Sequence, residues 1–194
     1  QGRQNTFIGV GAGFENTTGY ATVNLGFASG YKNTTGVTNT NLGYQSGFNN
    51  VTGKNNTNIG VDAGGGNLAN DNIFIGFHTG GSVSTPTITG NANTFIGTEV
   101  ATAGTTMTYN VGVGWRSNFH TTTGYNNVSL GSLAGFNLVK GYNNILIGKE
   151  AGQVVDSSFE NVFVGHRSGF YANGGSYQNT GVGALSLFNL TTGK

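Results

Sequence analysis

Asn5-Thr6-Phe7-Ile8-Gly9-Val10-Gly11-Ala12-Gly13-Phe14-Glu15-Asn16-Thr17-Thr18-Gly19 is the first of eleven variants of one pattern. Aligned on the glycine after the aliphatic residue, the copies fall at Gly9, Gly26, Gly43, Gly60, Gly76, Gly97, Gly114, Gly131, Gly148, Gly165 and Gly183. Successive steps are 17, 17, 17, 16, 21, 17, 17, 17, 17 and 18 residues. A period this regular is the signature of a repeat architecture, in which each copy buries its surface against the next.

Each aligned column is named here by its first member. The Ile8 column is aliphatic throughout: Leu25, Leu42, Ile59, Ile75, Ile96, Val113, Leu130, Ile147, Val164 and Val182 follow. The Thr6 column is β-branched throughout, and the Phe7 column between them varies from Phe to Asn, Gly, Ser and Leu. A constrained, free, constrained order is the period of two of a short strand. It predicts that the Thr6 and Ile8 columns face the core. The Ala12 column is mostly small, which predicts a third inward position with little room. Glycine recurs after it in eight copies, and an aromatic then follows in seven, among them Phe14, Tyr31 and Phe48.

Glycine at this frequency disfavours helix, where it costs about 1 kcal/mol against Ala. The period is also too short for two-helix repeats. The expected fold is all-β: a parallel β-solenoid, or β-roll, with about 17 residues per turn and eleven turns. One domain, 1–194, is expected, with an irregular insertion at 81–90 (Gly81-Ser-Val-Ser-Thr-Pro86-Thr-Ile-Thr-Gly90) that accounts for the long step. That segment is expected to protrude, as solenoid insertions commonly do on a binding face. An Asn before the strand recurs from Asn5 to Asn179. It suits a turn closed by its own side chain, or a stacked ladder of amides along the axis.

Composition narrows function by exclusion. In 194 residues Gly, Asn and Thr number 36, 27 and 26, while charged residues are only 8% and the net charge is +1. No basic surface for nucleic acid follows from that balance. There is no cysteine, hence no disulfide framework and no thiolate metal site. No apolar run is long enough for a transmembrane helix, so no membrane insertion is expected.

Catalytic constellations are not evident, and the chain is read as a non-enzyme with no catalytic, cofactor-binding or metal-binding residue and no cofactor. Asp62, His78, Glu99, Arg116, Glu150 and Arg167 share one column and are expected to point into solvent. His120 and His166 read as surface residues. The Val10 column begins Val10, Phe27, Tyr44, Val61, Phe77 and later holds Trp115, the only tryptophan. It reads as an interchain contact or as an aromatic stripe for sugars. With three inward positions per turn, one of them small, the core is thin. That shortage predicts a homo-oligomer.

The stretches Asn5-Thr-Phe-Ile-Gly9, Asn56-Thr-Asn-Ile-Gly60 and Asn144-Ile-Leu-Ile-Gly148, each followed closely by a small residue and Gly or its equivalent, resemble the head repeats of trimeric autotransporter adhesins. They are also similar to repeats of bacteriophage tail fibres and other bacterial surface fibres. The likeness spans about residues 4–190. It implies a left-handed roll, three parallel chains, and an extracellular, cell-surface or virion-fibre setting. It also implies a structural fibre or adhesion module, or a fibre tip that binds a cell-surface glycan or protein receptor. The repeats of those heads are shorter than 17 residues, which places the extra length in a loop. An ice-binding solenoid is the alternative that frequent threonine suggests, although the Thr17-Thr18 and Thr34-Thr35 pairs become Val51-Thr52 and then vanish.

Overall fold

The computed structural model describes residues 2–81, 83–84, 88–172 and 175–190. Eleven three-residue strands follow one another: β1 (Thr6–Ile8), β2 (Val23–Leu25), β3 (Thr40–Leu42), β4 (Thr57–Ile59), β5 (Ile73–Ile75), β6 (Thr94–Ile96), β7 (Val111–Val113), β8 (Val128–Leu130), β9 (Ile145–Ile147), β10 (Val162–Val164) and β11 (Thr180–Val182). They form one parallel sheet in sequence order, β1 to β11, and no helix occurs among the described residues. Every pairing keeps the columns in register, as in Thr6↔Val23, Phe7↔Asn24 and Ile8↔Leu25. This is the expected β-solenoid; its eleven strands bound about ten turns of about 17 residues.

The facing of the strand is the reverse of the expectation. From β2 onward the middle residue is buried, and its two neighbours are exposed or half-buried. The physical reason lies in the narrow lumen. An inward position must fill whatever space the turns above and below leave, so it varies. Phe95 lies over Gly112, where an added Cβ would come within 2.9 Å of the ring. The constant β-branched and aliphatic residues are those that suit an outward strand surface.

The core has four inward columns. The Phe7 column supplies Phe74 and Phe95, stacked at 5.8 Å, together with Leu146 and Phe163. The Ala12 column is inward as expected, from Ser29 to Ser168, and its serines pair along the axis, Ser29 to Ser46 at 3.1 Å. The Asn16 column is buried too. It runs Asn33, Asn50 and Asn67 in the early turns, then Thr121, Leu138 and Val155. The first turns are therefore packed around amides and the later ones around hydrocarbon. In the early turns Asn41 Nδ2 donates to Asn24 Oδ1, and Asn58 Nδ2 to Asn41 Oδ1, each at 2.7 Å.

The fourth inward column is the Asn5 column, and the amide ladder is real. From Asn39 to Asn161 each Oδ1 accepts the backbone N–H of the next Asn in the column at 2.9–3.1 Å. Nδ2 donates to a carbonyl near the next corner, as Asn110 does to Gly124 O and Asn127 to Gly141 O, both at 2.8 Å. The amides of the Asn5 column thus link successive turns, while those of the Asn16 column close their own corner, as Gly36 N donates to Asn33 Oδ1 at 2.8 Å.

The corners need left-handed backbone. Three columns per turn have φ near +55°, and most of their members are not glycine: Asp62, Tyr109 and Leu133 are examples. The anchor glycines are different. Gly26 has φ +137°, and a Cβ there would lie 2.4 Å from Gly43 O. Only glycine permits that approach between turns.

Within 81–90, Ile88 does not protrude. It is fully buried beside Phe74, Phe95 and Met107, and it pairs in parallel with Asn67. Ile88 N donates to Gly66 O at 2.9 Å and Leu68 N donates to Ile88 O at 2.8 Å. The end of the insertion fills an inward position because a turn without an apolar residue there would leave a void between Phe74 and Met107. Ser82 and Thr85–Thr87, including Pro86, lie outside the described residues.

Candidate self-association face

The reversed facing of the strands creates the most distinctive surface of the molecule. The Thr6, Ile8 and Val10 columns all point away from the core along the whole sheet. Leu25, Leu42, Ile73, Ile96, Ile145 and Val182 are exposed, as are Phe27, Tyr44, Val61, Phe77 and Trp115. Ten inter-strand steps at about 4.8 Å make this face about 48 Å long, and four residues at about 3.3 Å make it about 13 Å wide. The face covers about 600 Å²; its Ile8 column is aliphatic throughout, while the Thr6 column includes five threonines and the Val10 column includes Thr98, Ser132, Lys149 and His166. Strand propensity explains the β-branched residues on it. It does not explain Leu, Phe and Trp left in water.

The ionisable column behind this face is not simply solvated. Asp62 and Glu150 are buried, at 9% and 7% exposure. The column pairs along the axis: His78 Nε2 with Asp62 Oδ2 at 3.2 Å, Arg116 Nε with Glu99 Oε2 at 2.5 Å, and Arg167 Nε with Glu150 Oε2 at 2.5 Å. Partners one turn apart sit at strand spacing, so opposite charges in neighbouring copies meet. Burial raises the Asp62 carboxyl above its ordinary value, with His78 opposing. The hydrogen bond from Arg167 lowers Glu150, against its burial. Asp62, His78 and Glu99 are successive in the column, yet Glu99 turns to Arg116. Among the described residues no group of three acidic or histidine side chains could hold a metal ion. His120 is exposed and stands edge-on to Phe119 and Phe136; His166 is exposed on the Val10 column.

Two further sets of aromatics stack along the axis. Phe14, Tyr31 and Phe48 stack at 5.0 and 5.2 Å; Tyr125, Tyr142, Phe159 and Tyr177 stack at 4.9–5.0 Å. Their faces are spent on one another, so they offer edges to a ligand. A cleft of about 350 Å³ at the first turn is lined by Arg3, Gln4, Thr18 and Tyr20. Neither the Arg3 charge nor the Tyr20 ring is paired among the described residues.

Sequence reasoning picked out the Val10 column and Trp115 as contact candidates, and they lie on this face. It missed the Thr6 and Ile8 columns, which it placed in the core. Constancy at those positions beside variability at Phe7 was the available signal, since a narrow lumen demands complementary residues, not identical ones. The chain matches no protein-family model, no curated protein and no solved structure.

Proposed function

We propose that this chain is a structural or adhesive fibre module that works as a self-associated assembly at a cell or virion surface. The observation that carries the reading is the outward face of β1–β11, aliphatic throughout the Ile8 column and apolar in the Val10 column over β1–β5. Water is a poor environment for that face, and a repeat protein extends such a contact turn by turn. The three quoted Asn-to-Gly stretches support the setting through their resemblance to adhesin heads and tail fibres, and that resemblance also implies a trimer.

The cleft at Arg3 and Tyr20 favours a second reading, a tip that binds an acidic glycan. A guanidinium beside an unstacked tyrosine ring suits a carboxylate on a sugar.

Beads coated with the chain, applied to intact cells and to immobilised sialylated and neutral glycans, test both. Retention on cells supports adhesion. Retention that needs sialylated glycan and is lost in Arg3→Ala supports the tip. A chain that is monomeric and retained on no surface contradicts the proposal.

A further inference from the structure

The Val10 column changes character from end to end. In β1–β5 it carries Val10, Phe27, Tyr44, Val61 and Phe77; in β6–β11 it carries Thr98, Trp115, Ser132, Lys149, His166 and Ala184. Lys149 is its only Lys, Arg, Asp or Glu; the Lys149 side chain is 60% exposed, and its ammonium pairs with Glu150 at 3.4 Å. The Thr6 and Ile8 columns beside it carry no ionisable group.

We infer that the face is covered by a second copy of this chain, packed sheet to sheet with its axis reversed. This rests on the self-association proposed above and fixes the partner, the number of chains and their direction. Eleven turns have a middle, β6. A two-fold axis parallel to the strands and passing over β6 sets each column against itself, with β1 opposite β11 and β5 opposite β7. Val10 then meets Ala184, Phe27 meets His166, Tyr44 meets Lys149, Val61 meets Ser132, and Phe77 meets Trp115. Val10 and Val61 meet small residues, Phe27 and Phe77 meet rings, the aliphatic stem of Lys149 crosses an aromatic ring, and the Tyr44 hydroxyl can accept a hydrogen bond from the ammonium. In the Ile8 column Leu25 meets Val164 and Leu42 meets Ile147.

A parallel arrangement of two or three chains brings equal heights together. Lys149 would then meet Ile145, Ile147 or another Lys149, so its ammonium would lose water with no partner beyond the Glu150 carboxylate 3.4 Å away, or face a like charge. The face of about 600 Å² per chain gives about 1,200 Å² in total, the lower bound of a standard stable interface. A two-fold contact of a patch with itself is the commonest closed symmetry.

Because the chain has no cysteine, single cysteines report distance cleanly. Thr98→Cys, Phe27→Cys and His166→Cys chains are treated with a bismaleimide spanning about 10 Å, the separation of packed sheets. Unchanged circular dichroism establishes folding. Thr98→Cys is expected to cross-link to itself. Phe27→Cys is expected to cross-link to co-expressed His166→Cys but not to itself, since its own copies lie about 38 Å apart along the axis. Self-cross-linking of Phe27→Cys, absence of the mixed product, or a native mass of three chains overturns the reversed pair and leaves self-association standing. A single-chain mass with no cross-link at any position overturns both.

Discussion

Asn127 and Asn144, seventeen residues apart, are joined twice: Asn127 Oδ1 accepts the backbone N–H of Asn144 and its side-chain Nδ2, both at 3.0 Å. Asn127 Nδ2 meanwhile donates to Gly141 O and to Asn110 Oδ1. One amide therefore holds the turn above, the turn below and a corner. Asn127→Ala leaves several buried groups unpaired and is expected to cost about 3 kcal/mol or more. Asn127→Asp keeps the acceptor but loses the donor and buries a charge. Its unfolding midpoint in denaturant should lie well below that of the parent near pH 7 and recover in acid, as the carboxyl takes up a proton.

The amides of the early core act as a set. Asn41→Leu alone strands Asn24 Oδ1 and Asn58 Nδ2, and is expected to destabilise by about 1–3 kcal/mol. The triple change of Asn24, Asn41 and Asn58 to Leu strands none of these three. Leu146 already occupies this column opposite Gly152, so the shape is accommodated. The triple variant should be at least as stable as the single one by urea unfolding, and a triple cost equal to three single costs would contradict the ladder.

Adjacent residues on β9 should behave oppositely. Leu146 is fully buried, and Leu146→Ala is expected to cost about 2–5 kcal/mol. Ile147 faces outward, so Ile147→Ser should leave the folded monomer nearly as stable and weaken association. Urea midpoints at low concentration, together with sedimentation at high concentration, separate the two effects.

The reversed strand facing marks the limit of what the sequence makes legible. The period, the strand positions, the parallel order and the inward Ala12 column all follow from spacing and residue size. Inside and outside do not, because Thr6 and Ile8 satisfy strand propensity on either face while Asn24 and Asn41 look like surface residues until their amides are seen to pair. Ile88 was hidden for a similar reason: a single apolar residue within a Thr- and Ser-rich insertion gives no periodic signal. The pairing of Asp62 with His78 and of Glu150 with Arg167 depends on partners one turn apart, a relation visible only once copies are stacked.

Tyr109 has φ +58° and is 64% exposed, while Asn126 and Asn143 hold the same position in the next two turns. An aromatic residue is strained there and Asn is tolerated. Tyr109→Asn is expected to raise stability by about 0.5–1 kcal/mol, read as a higher thermal midpoint. No change would mean that the ring compensates through contacts in the assembly.

Acid titration should separate the two buried carboxylates. The Asp62 pKa is raised on folding, so its ionised form costs stability above the folded value, and that cost disappears below the unfolded value. Asp62→Asn should therefore stabilise at neutral pH and match the parent in strong acid. The Glu150 pKa is lowered, so its contribution is present above the unfolded value and lost as pH falls through the folded one. Glu150→Gln should destabilise at neutral pH, with the difference closing in acid. Denaturant midpoints across this range give both signs.

The central claim is that the outward columns of β1–β11 are an interface, and the native mass tests it most directly. The chain weighs 20.0 kDa. Sedimentation equilibrium at micromolar concentration is expected to give about 40 kDa, the mass of a two-fold pair. A single species of 20.0 kDa that persists as concentration rises would contradict the account.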